Sequence, residues 1–315
     1  MRGRVLAVWL CLLVVAAACA VPHRKDLDDV SKKAVTLSEA SHVISRFNRA
    51  ADDAATAADP RRLDAIEGGS LLEIDRSALF ARQQLGFRTS TTRLADASTI
   101  VTGAFERYPL WFVAIGDVDA ERVKVAGLFV RESSTVPWRL ELAPRLATST
   151  TFPPVRLADD GSAVLLSPTV RRGLAVSPQA LVYRYAQVLA DPGAEYADDF
   201  VQDAFLASVR ELREAQPDEA VAFTQTWSAA PVRYAFRLAG GGALVFATLE
   251  RTDHYRVLGK HSLRWQGSEA AAYFRRPVRS AATLTYAHQL LIMLPARGKA
   301  VLIGQYGGLV SATGH

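Results

Sequence analysis

The spacing of the apolar residues changes along this chain from a helical period to a strand period, and the same change occurs twice. Ala40, Val43, Ile44 and Phe47 recur at three-and-four spacing, which predicts one apolar face of a helix. A series of predicted strands follows, and the apolar run over 110–115 is its clearest member. Helices followed by strands are typical of an α+β unit, in which helices cover one face of an antiparallel sheet.

The second half of the chain repeats this plan. Ser177-Pro178 predicts a helix start, because serine caps free amides and proline suits the first helical position. Strand patterns then follow over residues 220–227, 232–238, 243–251, 257–265, 281–294 and 300–306. We therefore expect two tandem α+β domains, each with N-terminal helices packed on a curved antiparallel sheet. The first domain covers 36–147, a linker rich in Thr, Pro, Ser and Gly covers 148–173, and the second domain covers 174–315.

Local signals place the helix ends in the first domain. Thr36 and Glu39 have the spacing of a capping box, which predicts the start of the first helix. Gly68-Gly69 predicts the end of a short helix that begins near Arg61, because glycine is common just after a helix. A further helix is expected from about Asp75 to Gly86.

The first eighteen residues predict a secretory signal peptide, 1–18. Arg2 and Arg4 precede an apolar run that ends in small residues at Ala16 and Ala18. This run is short for a membrane span, which needs about 20 residues. The following polar stretch, 19–35, is expected to be a tether between the membrane and the first domain.

Cys19 is the predicted attachment site of a lipid. The chain has two cysteines, and Cys11 would leave with the signal peptide, so the mature chain would begin with its single thiol. An exported protein with one odd thiol needs a reason for it, and diacylglycerol attachment is one. Ala16 departs from the Leu usual there in lipoboxes, and two alternatives stay open: a secreted protein cut after Ala18, or an uncleaved apolar anchor. The expected location is the outer face of the cell membrane.

Composition and motifs exclude several classes of protein. Lys+Arg 37 against Asp+Glu 32 gives a net charge of +5, scattered along the chain without a basic stripe, so nucleic acid is not an expected partner. No His, Cys and acidic residues stand at the spacing of a metal site, and we expect no metal. The sequence also lacks a nucleophile elbow and a glycine-rich phosphate loop, so no catalytic residue and no cofactor are predicted.

Aromatic residues suggest a pocket. They recur along the predicted strands of both domains, and curved-sheet domains often enclose a cavity lined by such side chains. The residues predicted to line it are Trp111, Trp138, Trp227, Tyr234 and Phe246. Plain packing in the core is the alternative, because aromatic residues dominate protein cores in any case.

Five stretches of the sequence resemble a family of uncharacterised lipoproteins from actinobacteria. The most specific is Glu67-Gly68-Gly69-Ser70-Leu71-Leu72-Glu73-Ile74-Asp75, and the others include Tyr108-Pro109-Leu110-Trp111 and Val136-Pro137-Trp138-Arg139. The resemblance implies export, lipidation and two domains, and it carries no assigned reaction. The order of elements is also loosely similar to the cystatin-like and nuclear-transport-factor-like (NTF2-like) α+β class, which concerns fold and not function.

These observations favour a lipid-anchored envelope protein with a binding or scaffolding role, whose partner is another envelope protein or a small apolar ligand. One alternative is a cavity-based hydrolase, isomerase or dehydratase. Its catalytic group would come from His254, His261, His288, Asp96 or Asp253, provided that one of them faces a pocket beside a second polar group. Another alternative is a docking subunit of an envelope assembly, which exposed aromatic patches would favour.

Overall fold

Among the residues that the structure describes, one large antiparallel sheet of ten strands takes strands from both halves of the chain. The computed structural model describes residues 31–86, 92–118, 123–146, 150–215 and 219–315. The chain divides into Met1–Lys32, of which only the last two residues are described, and one compact unit, Lys33–His315. The predicted signal peptide and Cys19 lie outside the described residues. No helix in the described ranges is long and apolar enough to cross a membrane.

In the described ranges, two pairs of α-helices each precede a series of strands, as the apolar spacing predicts. They are α1 (Leu37–Ala57), α2 (Gly69–Leu85), α3 (Pro178–Ala190) and α4 (Ala204–Glu214). Helix α1 begins with the predicted capping box: the amide of Glu39 donates to the Thr36 hydroxyl, and the amide of Thr36 donates to the Glu39 carboxylate at 2.7 Å. Ser177 caps α3, with proline at the first helical position.

The strands vary greatly in length. They are β1 (Lys32–Lys33), β2 (Ala95–Thr102), β3 (Ala104–Phe105), β4 (Leu110–Val118), β5 (Val123–Arg131), β6 (Arg139–Leu142), β7 (Arg145–Leu146), β8 (Val221–Ala229), β9 (Tyr234–Arg237), β10 (Gly242–Val257), β11 (Ala281–Pro295) and β12 (Val301–Gly314). The sheet has the order β2-β4-β5-β7-β12-β11-β10-β8, with β6 paired to β5 and β9 paired to β10.

The two faces of the sheet contribute to different cores. Trp111 of β4 lies in one core cluster with Leu244 and Phe246 of β10. Strands β4 and β10 are far apart in the order of the sheet, so the sheet must curve to bring them to the same cluster. On the opposite face of β4, Phe112 packs with α1 and α2. Val245 of β10 likewise faces α3 and α4. The helices therefore cover the outer faces of a curved sheet.

The two predicted domains share this sheet. Leu146 of β7, from the first half, pairs with Gly304 of β12, from the second. The predicted linker 148–173 also contributes to the fold, because Val155 and Leu165 form single bridges to β9 or the residue after it. Mixed α+β structure with a large antiparallel sheet is thus established, whereas the division into domains at 36–147 and 174–315 stays a prediction.

One strand prediction and two helix ends are wrong. The patterns over 243–251 and 257–265 predict two strands, but the first continues to Val257 as β10. Asp253 interrupts the alternation of apolar and polar residues along β10, because it is buried on a strand face that apolar residues normally occupy. Gly68-Gly69 begins α2 instead of ending a helix, and α2 therefore starts six residues before the predicted Asp75.

Candidate functional site

The structure brings together some of the aromatic residues that were predicted to line a pocket. Tyr234 and Phe246, paired across β9 and β10, line one cavity, and the Trp111 ring contacts Tyr234 at 5.3 Å from the core side. Trp138 lies elsewhere, against the Phe112 ring on the α1 side of β4. Trp227 also lies elsewhere, between the rings of Phe205 and His288.

Two adjoining cavities lie between α2 and the sheet, and we call them together the α2 groove. Their volumes are about 550 and 880 Å³. Glu73 of α2, Glu250 of β10 and Val310 of β12 line both cavities and so mark the waist where they meet. Helix α2 thus forms one wall of the groove, and strands β10, β11 and β12 contribute to the other.

One face of α2 supplies a wall of the groove. The residues on this wall recur at three-and-four spacing, and they are Glu73, Arg76, Ser77, Phe80 and Gln83. At the far end of the larger cavity the Phe80 ring contacts the Tyr273 ring at 5.0 Å, and the Tyr273 and Ser77 hydroxyls lie 2.8 Å apart. The groove is therefore lined by both polar and apolar groups.

Glu141 is the most buried carboxyl group of the smaller cavity. The Tyr234 hydroxyl donates to Glu141 Oε2 at 2.8 Å, and Arg233 Nη1 lies 3.7 Å from the same oxygen. Burial raises the pKa of Glu141 above its ordinary value, although the Tyr234 hydrogen bond and the Arg233 charge oppose this change. The carboxyl group thus binds a proton more readily than a free glutamate does, and it can act as donor or acceptor toward a ligand.

Glu73 and Glu250 supply negative charge at the waist. Both side chains are exposed, and neither makes an ion pair or hydrogen bond with another described residue. The nearby cations are engaged elsewhere: Arg76 pairs with Asp64, and Arg233 pairs with Glu132 at 2.7 Å. These carboxylates can therefore accept hydrogen bonds from a ligand.

Behind α2, a pair of acidic residues is enclosed by the core. Glu67 and Asp75 are almost fully buried, and the Tyr306 hydroxyl donates to Asp75 Oδ1 at 2.6 Å. Burial raises the pKa of Glu67 well above its ordinary value, and the neighbouring Asp75 charge raises it further. Burial also raises the pKa of Asp75, although the Tyr306 hydrogen bond opposes this. The pair lines neither cavity of the α2 groove, and through Tyr306 it ties α2 to the sheet.

The two glycines of the same motif let α2 start against β6. A Cβ at Gly68 would lie 3.3 Å from Glu141 Cγ, and Gly69 has a φ of +54°, a conformation that favours glycine. The adjacent Ser70 hydroxyl accepts a hydrogen bond from Gln289 of β11 at 2.9 Å. The first turn of α2 is thereby fixed beside the Glu141 end of the groove.

The side chains proposed for catalysis lie away from the groove. His254 and His261 are exposed, and His288 is buried with its pKa lowered to about 3 by burial and by the charge of Arg251. Asp253 is buried and pairs with Arg251 at 3.2 Å. None of these four lines either cavity of the α2 groove, and the Asp96 side chain is outside the part of the chain that the structure describes. They therefore give the enzyme hypothesis no support.

Sequence reasoning missed the α2 wall and the waist of the groove. Glu73 and Glu250 are far apart in the chain, and neither belongs to a recognisable motif with the other. The sequence signal that pointed to this site is the glycine pair of the Glu67–Asp75 motif. The structure explains these two glycines by the close approach of α2 to Glu141. Among the described residues, no group of three or more His, Cys, Asp and Glu side chains is arranged to hold a metal ion.

Comparisons with known proteins support a lipoprotein family. A family model described as a domain of unknown function, DUF8094, matches residues 31–314. An uncharacterised lipoprotein of Streptomyces coelicolor is 27% identical over 317 residues, which cover 96% of this chain and 92% of that protein. No solved structure matches the chain, so the likeness to the cystatin-like and NTF2-like class is not confirmed.

Proposed function

The chain belongs to the DUF8094 family, and we propose that it is a lipid-anchored protein on the outer face of the cell membrane that binds a small ligand in the α2 groove. The observation that carries the binding role is the pair of adjoining cavities that share Glu73 and Glu250. The kinship with a Streptomyces lipoprotein is consistent with an envelope location.

The anchor is proposed at Cys19. A charged start, a short apolar run and small residues before this cysteine support cleavage after Ala18 and acylation of the thiol. The polar segment 19–35 then serves as the tether. In mass spectrometry of the full-length chain, the mass of residues 19–315 plus a diacylglycerol supports the anchor, provided that Cys19→Ala abolishes the modification. An unmodified mass contradicts it.

The chemistry of the groove defines the kind of ligand. Its cavities fall in the range of about 300 to 1,000 Å³ that small-molecule sites occupy. Glu73, Glu141 and Glu250 offer carboxyl groups, while Phe80 and Phe246 offer apolar surface. The ligand is therefore a compact molecule with an apolar part and several hydrogen-bond donors, such as hydroxyl or ammonium groups. This is more polar than the small apolar ligand that the aromatic residues alone suggest.

We also retain the proposal of two related halves, cystatin-like or NTF2-like in the order of their elements. Helices α1 and α2 precede β2–β7, and helices α3 and α4 precede β8–β12. In each half the helices pack on the outer face of the curved sheet. Duplication of an α+β unit followed by fusion at β7 and β12 accounts for this arrangement.

An enzyme is the second candidate, and Glu141 is the observation that favours it. A carboxyl group with a raised pKa in a cavity is typical of a general acid. The two functions differ in what happens to the ligand: a binding protein returns it unchanged, whereas an enzyme converts it unless Glu141→Gln is introduced. Mass analysis of the ligand after incubation with each protein distinguishes them.

The binding role is tested by native mass spectrometry of the full-length chain in mild detergent. We expect a bound small molecule, which is lost in Glu73→Gln/Glu250→Gln and in Val310→Trp, a variant that fills the waist. The matched controls change exposed residues outside the groove, Glu106→Gln/Glu195→Gln and Val201→Trp, and should retain the molecule. A ligand kept equally by all variants, or absent from the wild-type protein, contradicts the proposal.

A further inference from the structure

One end of the molecule carries a concentration of positive charge, which we call the basic end surface. Six exposed cations lie on it, namely Arg256, Lys260, Arg264, Arg275, Arg276 and Arg279. None of them forms an ion pair with a described residue, and the one acidic residue between 254 and 280 is the half-buried Glu269. The cations therefore lack a partner within the described part of the protein.

The fold holds these cations on a rigid base. Leu263 and Val278 form a β-bridge that ties the loop after β10 to itself. The Trp265 and Phe274 rings stack at 4.4 Å, and Trp265 also contacts the Tyr255 ring of β10. Because the backbone of this loop is already packed, binding does not need to order it, so this surface is suited to recognition.

A cavity opens within the basic end surface. Its volume is about 560 Å³, and Arg275, Arg276 and His315 line it together with Phe274 and Val278. Five of the six cations are arginines, whose planar guanidinium groups donate paired hydrogen bonds to phosphate oxygens. The surface thus combines a site for one anionic group with further cations around it.

We propose that the basic end surface binds an anionic polymer of the cell envelope that carries repeated phosphate groups. A polymer with repeated charges can contact several separate cations at once. A single small anion in the cavity cannot. Complementary charge is the basis of this proposal, and each phosphate contact adds to the affinity by releasing counterions from the polymer.

The position of the surface favours a polymer over the lipid bilayer. Ala34, where the tether ends, donates a hydrogen bond to Thr102, whose carbonyl accepts one from Ala163. This region lies near the start of β10, because Leu165 bridges to Phe236 and Phe236 pairs with Leu244. Arg256 is twelve residues further along β10, about 40 Å at the rise of an extended strand. The basic end surface is therefore far from the point where the tether joins the fold, and this argument against a lipid surface rests on the proposed anchor.

The test measures binding of long-chain polyphosphate to the full-length chain in mild detergent by fluorescence anisotropy. We expect the variant Arg275→Gln/Arg276→Gln/Arg279→Gln to have an affinity for polyphosphate that is lower by roughly tenfold or more. The slope of log affinity against log salt should also become shallower by about two to three. The matched control, Arg46→Gln/Arg49→Gln/Arg171→Gln, removes the same charge from exposed positions elsewhere and should bind at least five times more tightly than the first variant, by the same counterion argument. Thermal unfolding checks that both variants are folded.

Two outcomes overturn the proposal. Equal loss in the two triple variants would show that only the net charge matters. Complete displacement of polyphosphate by phosphatidylglycerol in the micelles, at equal phosphate concentration, would assign the surface to lipid headgroups. Val310→Trp fills the α2 groove and should leave polymer binding unchanged, so failure of the groove proposal is separable from failure of this one.

Discussion

The carboxyl groups of Glu67 and Asp75, which stand at the two ends of one nine-residue motif, interact with each other in the interior of the protein. Between them run the two glycines and the first turns of α2. Tyr306 of β12 ties the pair to the sheet through its bond to Asp75. The motif therefore fixes the helix that forms one wall of the groove.

Replacement of Glu67 by Gln should stabilise the protein at alkaline pH. The folded-state pKa of Glu67 is raised well above 4.5, so the folded protein holds a proton that the unfolded chain releases. Stability is then lost as pH rises above about 4.5, by at most roughly 1.4 kcal/mol per pH unit. Urea unfolding at pH 5 and pH 8 should show a smaller decrease for Glu67→Gln than for the wild-type protein. Glu73→Gln, at an exposed position of the same motif, should keep the wild-type decrease.

Loss of the Tyr306 hydroxyl should destabilise the protein. Tyr306→Phe leaves Asp75 without its shortest hydrogen bond in the interior, at a cost of about 1 to 3 kcal/mol. Tyr183→Phe removes a hydroxyl from an exposed ring and should change the free energy of unfolding by less than about 0.5 kcal/mol. Equal effects in chemical denaturation would show that the bond to Asp75 is not important.

The glycine at the start of α2 should resist substitution. Gly69→Ala places a side chain at a φ of +54°, and it should cost about 1 kcal/mol of stability or more. Gly240→Ala is the control, since no atom lies within 4 Å of its added Cβ and its φ is not positive. Thermal unfolding measures both variants, and unchanged stability of Gly69→Ala would contradict the conformation described for this turn.

His288 should make the protein less stable in acid. Its pKa is lowered from 6.5 to about 3 by burial and by the charge of Arg251, so the unfolded chain binds a proton that the folded protein does not. Stability should therefore fall as pH decreases from about 6.5, by at most roughly 1.4 kcal/mol per pH unit. Unfolding of His288→Leu between pH 4 and pH 7 should show a weaker dependence, whereas an unchanged slope would assign the acid sensitivity to other groups.

Local features of the fold were predictable from the sequence. The Thr36–Glu39 capping box, the Ser177 cap and the strand over 281–294 depend on residues close together in the chain, and the structure confirms them. The lipoprotein resemblance is likewise supported by the family match.

Features that depend on distant pairing could not be read from local patterns. Nothing in the strand patterns indicates that Leu146 pairs with Gly304, which joins the two halves in one sheet. The waist of the groove depends on that sheet, because Glu73 and Glu250 line the same cavities only when α2 packs against it. The basic end surface is different, because its six cations all lie between residues 256 and 279 and are close together in the sequence.

A crystal structure of the full-length chain with its co-purified molecule tests the central claim most directly. We expect density for a compact molecule between Glu73 and Glu250, with polar groups directed at Glu141 and Tyr234. Density that contains only ordered water in the α2 groove, with the molecule bound elsewhere or absent, would contradict it.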